Sequence, residues 1–470
     1  MKSKFTTLFI LSFLFSQIIS SQQVSWISST NNSKWIKQAP LKMISIGQSK
    51  SFETEVYTHE KQQVIDGWGG CFNELGWDAL KTLNEKERNK VLNALFNHKI
   101  GLKFNICRMP IGANDYSHKW HSLNDSVGDF AMKHFSIEND QKTLIPYIKA
   151  AMKIRPDLQI WASPWSPPAW MKTNNHYANK PGDHNDLTEE NAVKSGDQFL
   201  QKKEYLTAYA LYLAKFSQEY KKQGISISAI HFQNEPYTFN QWPNCSWTAK
   251  GMTNFVANYL GPTFSSEKIS SQIWFGTINN ANPAVFDTIL SNPASKKFIS
   301  GVGFQYEGKD VVEHIYKTYP DLKRMQTEGP CGNGHFSWSD AEKTFKTIQF
   351  YIEKGVNSYM YWNMVLDNVG ESTWGWKQNA LITIDKNSHK VTYTPEYYLF
   401  KHFSSFVVPG SYRLKSEGVF KNIVSFITPQ GKVIIVALNS EKSPKLIKVR
   451  IANKYFEVSL PAQSFNTFSI

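Results

Sequence analysis

The chain has 470 residues, 41% of them hydrophobic and 14% aromatic, which is ample for a large core and excludes a disordered chain. Its formal charge of +13 comes mostly from scattered lysines, which read as a solvated face, whereas nucleic-acid binding needs a clustered stripe with arginine. The four cysteines (Cys71, Cys107, Cys245 and Cys331) have no CxxC spacing and no nearby histidine pattern, which argues against a zinc site and a disulfide scaffold.

In chain order, Lys2 and Lys4 head an apolar run from Phe5 to Ile19 that exits through Ser20 and Ser21. This reads as a signal peptide over 1–21, and its apolar run is shorter than the ~20 residues of a spanning helix. The expectation is a secreted or periplasmic protein with no integral membrane span in the mature chain. Residues 22–60 read as short strands. A rhythm of β-rich runs then begins at 63–70, 103–110, 158–165, 227–233, 272–278, 298–306, 323–328 and 356–362. Helix-like segments fall near 85–98, 140–154, 202–223, 248–260, 309–319 and 338–354. Eight strands alternating with helices predict an α/β fold, a parallel (β/α)8 TIM barrel over 61–408. An open doubly wound sheet would alternate similarly, but no glycine-rich phosphate loop follows the first strand. Past 408 the runs VFKNIVSFIT, GKVIIVALN, KLIKVRIA and YFEVSL alternate with polar turns, as in a β-sandwich over 409–470 that residues 22–60 would join.

Active sites of such barrels sit at the C-terminal strand ends. The runs end in Trp68, in Arg108 leading to Asp115, in Trp165, in Asn234 and Glu235, in Tyr306, in Glu328, and in Trp362 with Asn363. Two carboxylates, an arginine, an asparagine and several tryptophans thus converge on one mouth. Paired carboxylates suit glycoside hydrolysis, and flat aromatic rings suit the apolar faces of sugars. No histidine or cysteine stands where a metal or thiol nucleophile would need it, so neither metal nor cofactor is expected.

The ordered set GWGGCFNELGWDAL, NICRMPIGANDYS, WASPWSPPAWMK, IHFQNEP, QTEGP and YWNMVLDN resembles glycoside hydrolase family 30, the family of glucosylceramidases and β-1,6-glucanases. The likeness spans about 60–410, and the terminal strands fit that family's side sandwich. It implies a carbohydrate or glycolipid substrate and a retaining mechanism, with Glu235 as acid/base and Glu328 as nucleophile. Retaining pairs lie about 5–5.5 Å apart, against ~6.5–9.5 Å for inverting ones. Arg108 and Tyr306 would keep Glu328 ionised, and Asn234 would hold the sugar 2-OH. Asp115 would grip outer hydroxyls. Trp165 and Trp362, with Trp68 as a further candidate, would form aromatic walls, and Trp376 would close one side. Trp242 and Trp247 would line the leaving-group side. Phe304 stands where many relatives carry histidine. β-Glucosidic bonds are the first expectation, β-1,6-glucan before glucosylceramide. Alternatives are a β-xylosidase, β-fucosidase or β-galactosidase of the same family, or a non-catalytic carbohydrate-binding protein on this scaffold. Outside the site, Trp77, Trp161 and Trp274 read as core and His231 as a satisfied barrel histidine. Cys107 and Cys331 read as inert packing or a bridge.

Overall fold

Several of the predicted runs are buried on both faces, as parallel strands covered by helices must be. In the computed structural model, which describes residues 23–47 and 51–470, they close into a barrel. The expected signal peptide lies outside the described residues. The staves are β1 (Gly67–Cys71), β2 (Ile106–Ile111), β3 (Gln159–Pro164), β4 (Ile227–His231), β5 (Gln272–Ile278), β6 (Ile299–Gln305), β7 (Lys323–Glu328) and β8 (Ser358–Asn363). Each pairs in parallel with its sequence neighbours, and β8 returns to β1, so the sheet has no open edge. This settles the choice against a doubly wound sheet.

The helix Lys203–Lys222 shows why the outer layer forms. Leu206, Tyr209, Leu213, Phe216 and Tyr220 recur at three- and four-residue spacing and are all buried. The predicted helix at 140–154 is instead two pieces, Glu138–Lys142 and Leu144–Ile154, broken at Thr143. Helices at Glu74–Lys81, Pro283–Leu290 and Pro395–Ser404 were not expected; each is short, at eight to ten residues.

The expected first strand, 63–70, is in fact two. Gln63–Ile65 end the long strand Thr54–Ile65, which pairs with Ser411–Gly418 in the sandwich. Asp66 then separates it from β1, so the sandwich claims the chain up to Ile65 rather than residue 60. The strand Gln23–Thr30 pairs with Ser464–Ser469, joining an early and a late strand in one module. That module packs directly on the barrel. Phe465 meets Trp338 at 4.7 Å between ring centroids, and His402 bonds Ser29 at 2.9 Å and Thr467 at 2.8 Å.

Trp161 and Trp274 lie inside the barrel with Met325 and Met360, as core. His231 is stacked between these two indoles, at 4.2 and 5.1 Å. It is not the satisfied histidine expected, since neither ring nitrogen has a hydrogen-bond partner. Burial, reinforced by Arg108, holds it neutral, well below the usual imidazole range. All four cysteines are buried and free, so none is bridged.

Candidate active site

The C-terminal ends of β4, β6 and β7 carry the central polar groups. Beyond β4 the chain reads Gln233-Asn234-Glu235, and Glu235 takes a φ of +44°. Tyr306, one residue past β6, takes +46°. Left-handed backbone at two non-glycine residues is strain of about 1–3 kcal/mol each, tolerated where surroundings over-determine it. Here the Glu235 N–H donates to the Thr277 carbonyl at 3.1 Å, and the Asn234 N–H to that of Pro164 at 2.7 Å.

Glu328, the last residue of β7, is almost wholly buried. Its Oε2 accepts from Arg108 Nη1 at 2.5 Å and its Oε1 from the Tyr306 hydroxyl at 3.2 Å. Burial raises this carboxyl, and Arg108, then Tyr306, oppose the rise. Glu328 is thus the carboxyl of the site that pairs directly with a guanidinium. Arg108 is itself locked. Its Nη2 donates to Asn234 Oδ1 at 2.6 Å and to Ser163 Oγ at 2.9 Å, and its guanidinium lies 4.3 Å from the Trp165 ring.

Glu235 has only neutral donors. Gln305 Nε2 reaches its Oε1 at 2.8 Å, and the Thr238 hydroxyl its Oε2 at 3.1 Å. Burial first, then the charge of Glu328, lifts this carboxyl to about 7. Asn234 Oδ1 accepts from Arg108, from Thr277 Oγ1 at 2.8 Å and from Gln305 at 3.3 Å. That end of the amide is spent, which leaves its Nδ2 as the free donor.

These groups face a cleft of about 280 Å³. Its wall includes Asp115, Trp165, Asn234, Glu235, Trp242, Tyr306, Glu328 and Trp376. Burial first, then the charges of Glu328 and Glu235, raises the Asp115 carboxyl well above the usual range. Trp242 and Trp376 meet edge to face at 5.5 Å across the rim.

Three of the expected tryptophans fall elsewhere, and Arg108 reaches Glu328 from below the cleft. Arg108 is fully buried beneath the cleft, and all its bonds go to protein groups, so it positions the site rather than lining it. Trp362 stacks behind Trp165 at 5.3 Å and is off the wall. Trp68 is core, its indole donating to the Val407 carbonyl at 2.9 Å. Trp247 is core too, stacked on Phe199 at 4.7 Å. Sequence reasoning missed Gln305, Ser163, Thr238, Asn240, Asn244 and Asn279. Their neutral side chains give no signal by type, although Gln305 sits beside the Tyr306 already singled out. Among the described residues, no cluster of three or more His, Cys, Asp or Glu side chains could hold a metal ion.

Residues 65–407 match the family model described as the glycosyl hydrolase family 30 TIM-barrel domain, and residues 410–468 that of the family's beta sandwich domain. The lysosomal acid glucosylceramidase of Mus musculus is 25% identical over 441 residues, covering 87% of this chain and 81% of that protein. The endo-1,6-beta-D-glucanase neg1 of Aspergillus fumigatus is 25% identical over 428 residues, covering 87% and 85% respectively. The crystal structure of SrfJ from Salmonella typhimurium shares the fold, with a TM-score of 0.85 at 23% identity over 96% of this chain and 99% of that one.

Proposed function

Since the chain belongs to glycosyl hydrolase family 30, we propose that it is an exported retaining β-glycosidase with Glu328 as nucleophile and Glu235 as acid/base. The observation that carries this reading is the contrast between the two carboxyls. Glu328 has a buried arginine at 2.5 Å, whereas Glu235 has neutral donors and is lifted to about 7. Environments that push two carboxyls apart divide the acid role from the anionic one.

In the first step a Glu328 oxygen attacks the anomeric carbon while Glu235 gives its proton to the departing glycosidic oxygen. The C–O bond to the leaving group breaks and an ester to Glu328 forms. Oε1 suits the attack, because Oε2 is held by Arg108 while Oε1 has only the longer Tyr306 bond. Esterification removes the negative charge of Glu328, one of the causes of the raised Glu235 value. Glu235, by then a carboxylate, deprotonates water, which attacks the anomeric carbon and restores Glu328. Asn234 Nδ2 donates to the 2-OH, a contact that strengthens at the transition state. Asp115 and Trp165 hold the non-reducing sugar, and Trp242 and Trp376 border the leaving group.

The substrate class is β-glucosidic, with β-1,6-glucan first and glucosylceramide next, following the activities named for two relatives. Export rests on the leader-like residues 1–21. Glu328→Ala tests the nucleophile. Turnover should vanish, and azide should restore it with a product of inverted configuration. Ordinary turnover without azide would end the assignment.

A further inference from the structure

Gln305 is fully buried at the end of β6. The β6–β7 pairing slips there: Phe304 faces Gln326, but the next residue, Gln305, faces Glu328, so Thr327 is skipped. An extra residue in one strand re-aims a side chain, and such irregularities concentrate beside active sites. Here the slip sets the Gln305 amide between the two glutamates. Its Nε2 lies 2.8 Å from Glu235 Oε1 and 3.3 Å from Asn234 Oδ1.

That end of Gln305 meets acceptor oxygens, so the amide turns its NH2 to them and its carbonyl to the Thr327 hydroxyl at 3.0 Å. An amide NH2 donates and cannot accept. A proton on Glu235 Oε1 would therefore face a donor. Oε2 has a different neighbour. The Thr238 hydroxyl accepts from Asn279 Nδ2 at 2.5 Å and can either give a hydrogen to Oε2 or take one from it. Thr238, Asn279 and Asn240 all line the cleft.

From this geometry we infer that Gln305 is a positioning residue for acid/base catalysis, directing the transferable proton of Glu235 to Oε2, on the Thr238 side. The inference rests on the retaining-glycosidase reading and adds to it which oxygen acts and what selects it. In glycosylation the proton leaves Oε2 for the glycosidic oxygen, and the charge left on Glu235 is shared with Oε1, where the Gln305 N–H stabilises it. In deglycosylation Oε2 takes the proton from water. The charged groups facing Glu235 are Glu328 on β7, Arg108 on β2, Asp115 beyond β2 and, on the cleft wall, Glu307. Gln305 is the neutral donor at Oε1 and Thr238 the one at Oε2.

The test compares Gln305→Met and Gln305→Glu with the parent enzyme on a dinitrophenyl and an alkyl β-glycoside. Gln305→Met keeps the length and loses the donor. Loss of a hydrogen bond to a charged group should lower kcat/KM on the alkyl substrate by about ten- to a hundredfold. The dinitrophenyl substrate, which needs no proton, should lose much less, and the alkaline limb of the pH profile should move up. Gln305→Glu can donate only while its own carboxyl is protonated, so its activity should recover toward acid pH, which a merely structural defect would not do. Equal losses on both substrates with an unmoved alkaline limb and no acid recovery would overturn the inference. Glu235→Ala run in parallel separates the two ideas. If it too spares neither substrate, the acid/base assignment itself fails; if it spares the dinitrophenyl glycoside while Gln305→Met does not, only the role of Gln305 falls.

Discussion

Arg108→Met is the most informative perturbation of the site. It removes a guanidinium with no solvent exposure whose Nη1 lies 2.5 Å from Glu328 Oε2. Breaking one side of a buried ion pair costs about 3–5 kcal/mol if the remaining charge stays buried. Glu328 can avoid that cost by taking a proton, and at about 1.36 kcal/mol per unit this corresponds to a rise of about two to four pKa units. The acid limb of kcat/KM on a dinitrophenyl glycoside, which isolates the nucleophile from proton donation, should move up by that amount. Stability should follow the same sign. Burial already places the folded Glu328 carboxyl above its ordinary value, so its contribution is best at acid pH and declines as pH rises through the folded value. The variant enlarges that difference, so urea unfolding should show a greater loss relative to the parent at pH 8 than at pH 5. Arg108→Lys keeps the charge but loses the fork to Asn234 and Ser163, and should fall between the two. An acid limb that does not move in Arg108→Met would refute the claim that this arginine keeps Glu328 ionised.

His402, wedged between Ser29 and Thr467, is held neutral at about 3 by burial first and then by Lys401. The unfolded chain takes up that proton and the native state does not, so stability should fall from about pH 6.5 downward by up to about 1.4 kcal/mol per pH unit. His402→Gln should flatten this slope in urea titrations, and an unchanged slope would clear His402 of the effect. Trp376→Ala removes the edge-to-face partner of Trp242, an interaction worth about 0.5–1.5 kcal/mol. KM for an oligosaccharide should rise severalfold with kcat nearly kept, as measured by initial rates. Prolonged dialysis against EDTA should leave activity unchanged; a sharp drop would point to a metal.

Much of the fold was legible because long-range order here follows local pattern. Buried runs such as SYMYWN on β8 and the periodic apolar stripe of Lys203–Lys222 announce themselves. The 63–70 run misled because β-propensity does not say which sheet a strand joins. Asp66 divides it between sandwich and barrel, and only the partners Tyr412 for Val64 and Tyr359 for Trp68 show this. Within the site, charged residues stood out by type and by their position after strands. Tryptophans did not sort themselves. Trp165 and Trp362 sit in equivalent strand-end positions, yet one forms the wall and the other packs behind it. Gln305 was invisible because its placement depends on a slip in strand register, which no side-chain pattern encodes.

Double displacement requires Glu328 to become covalently bound to the sugar. A 2-deoxy-2-fluoro β-glycoside with a dinitrophenyl leaving group should inactivate the enzyme in a time-dependent way. Peptide mass spectrometry should then find the fluorosugar on the peptide carrying Glu328, at that residue. A label on another residue, or a natural product released with inverted anomeric configuration by proton NMR, would contradict the double-displacement account.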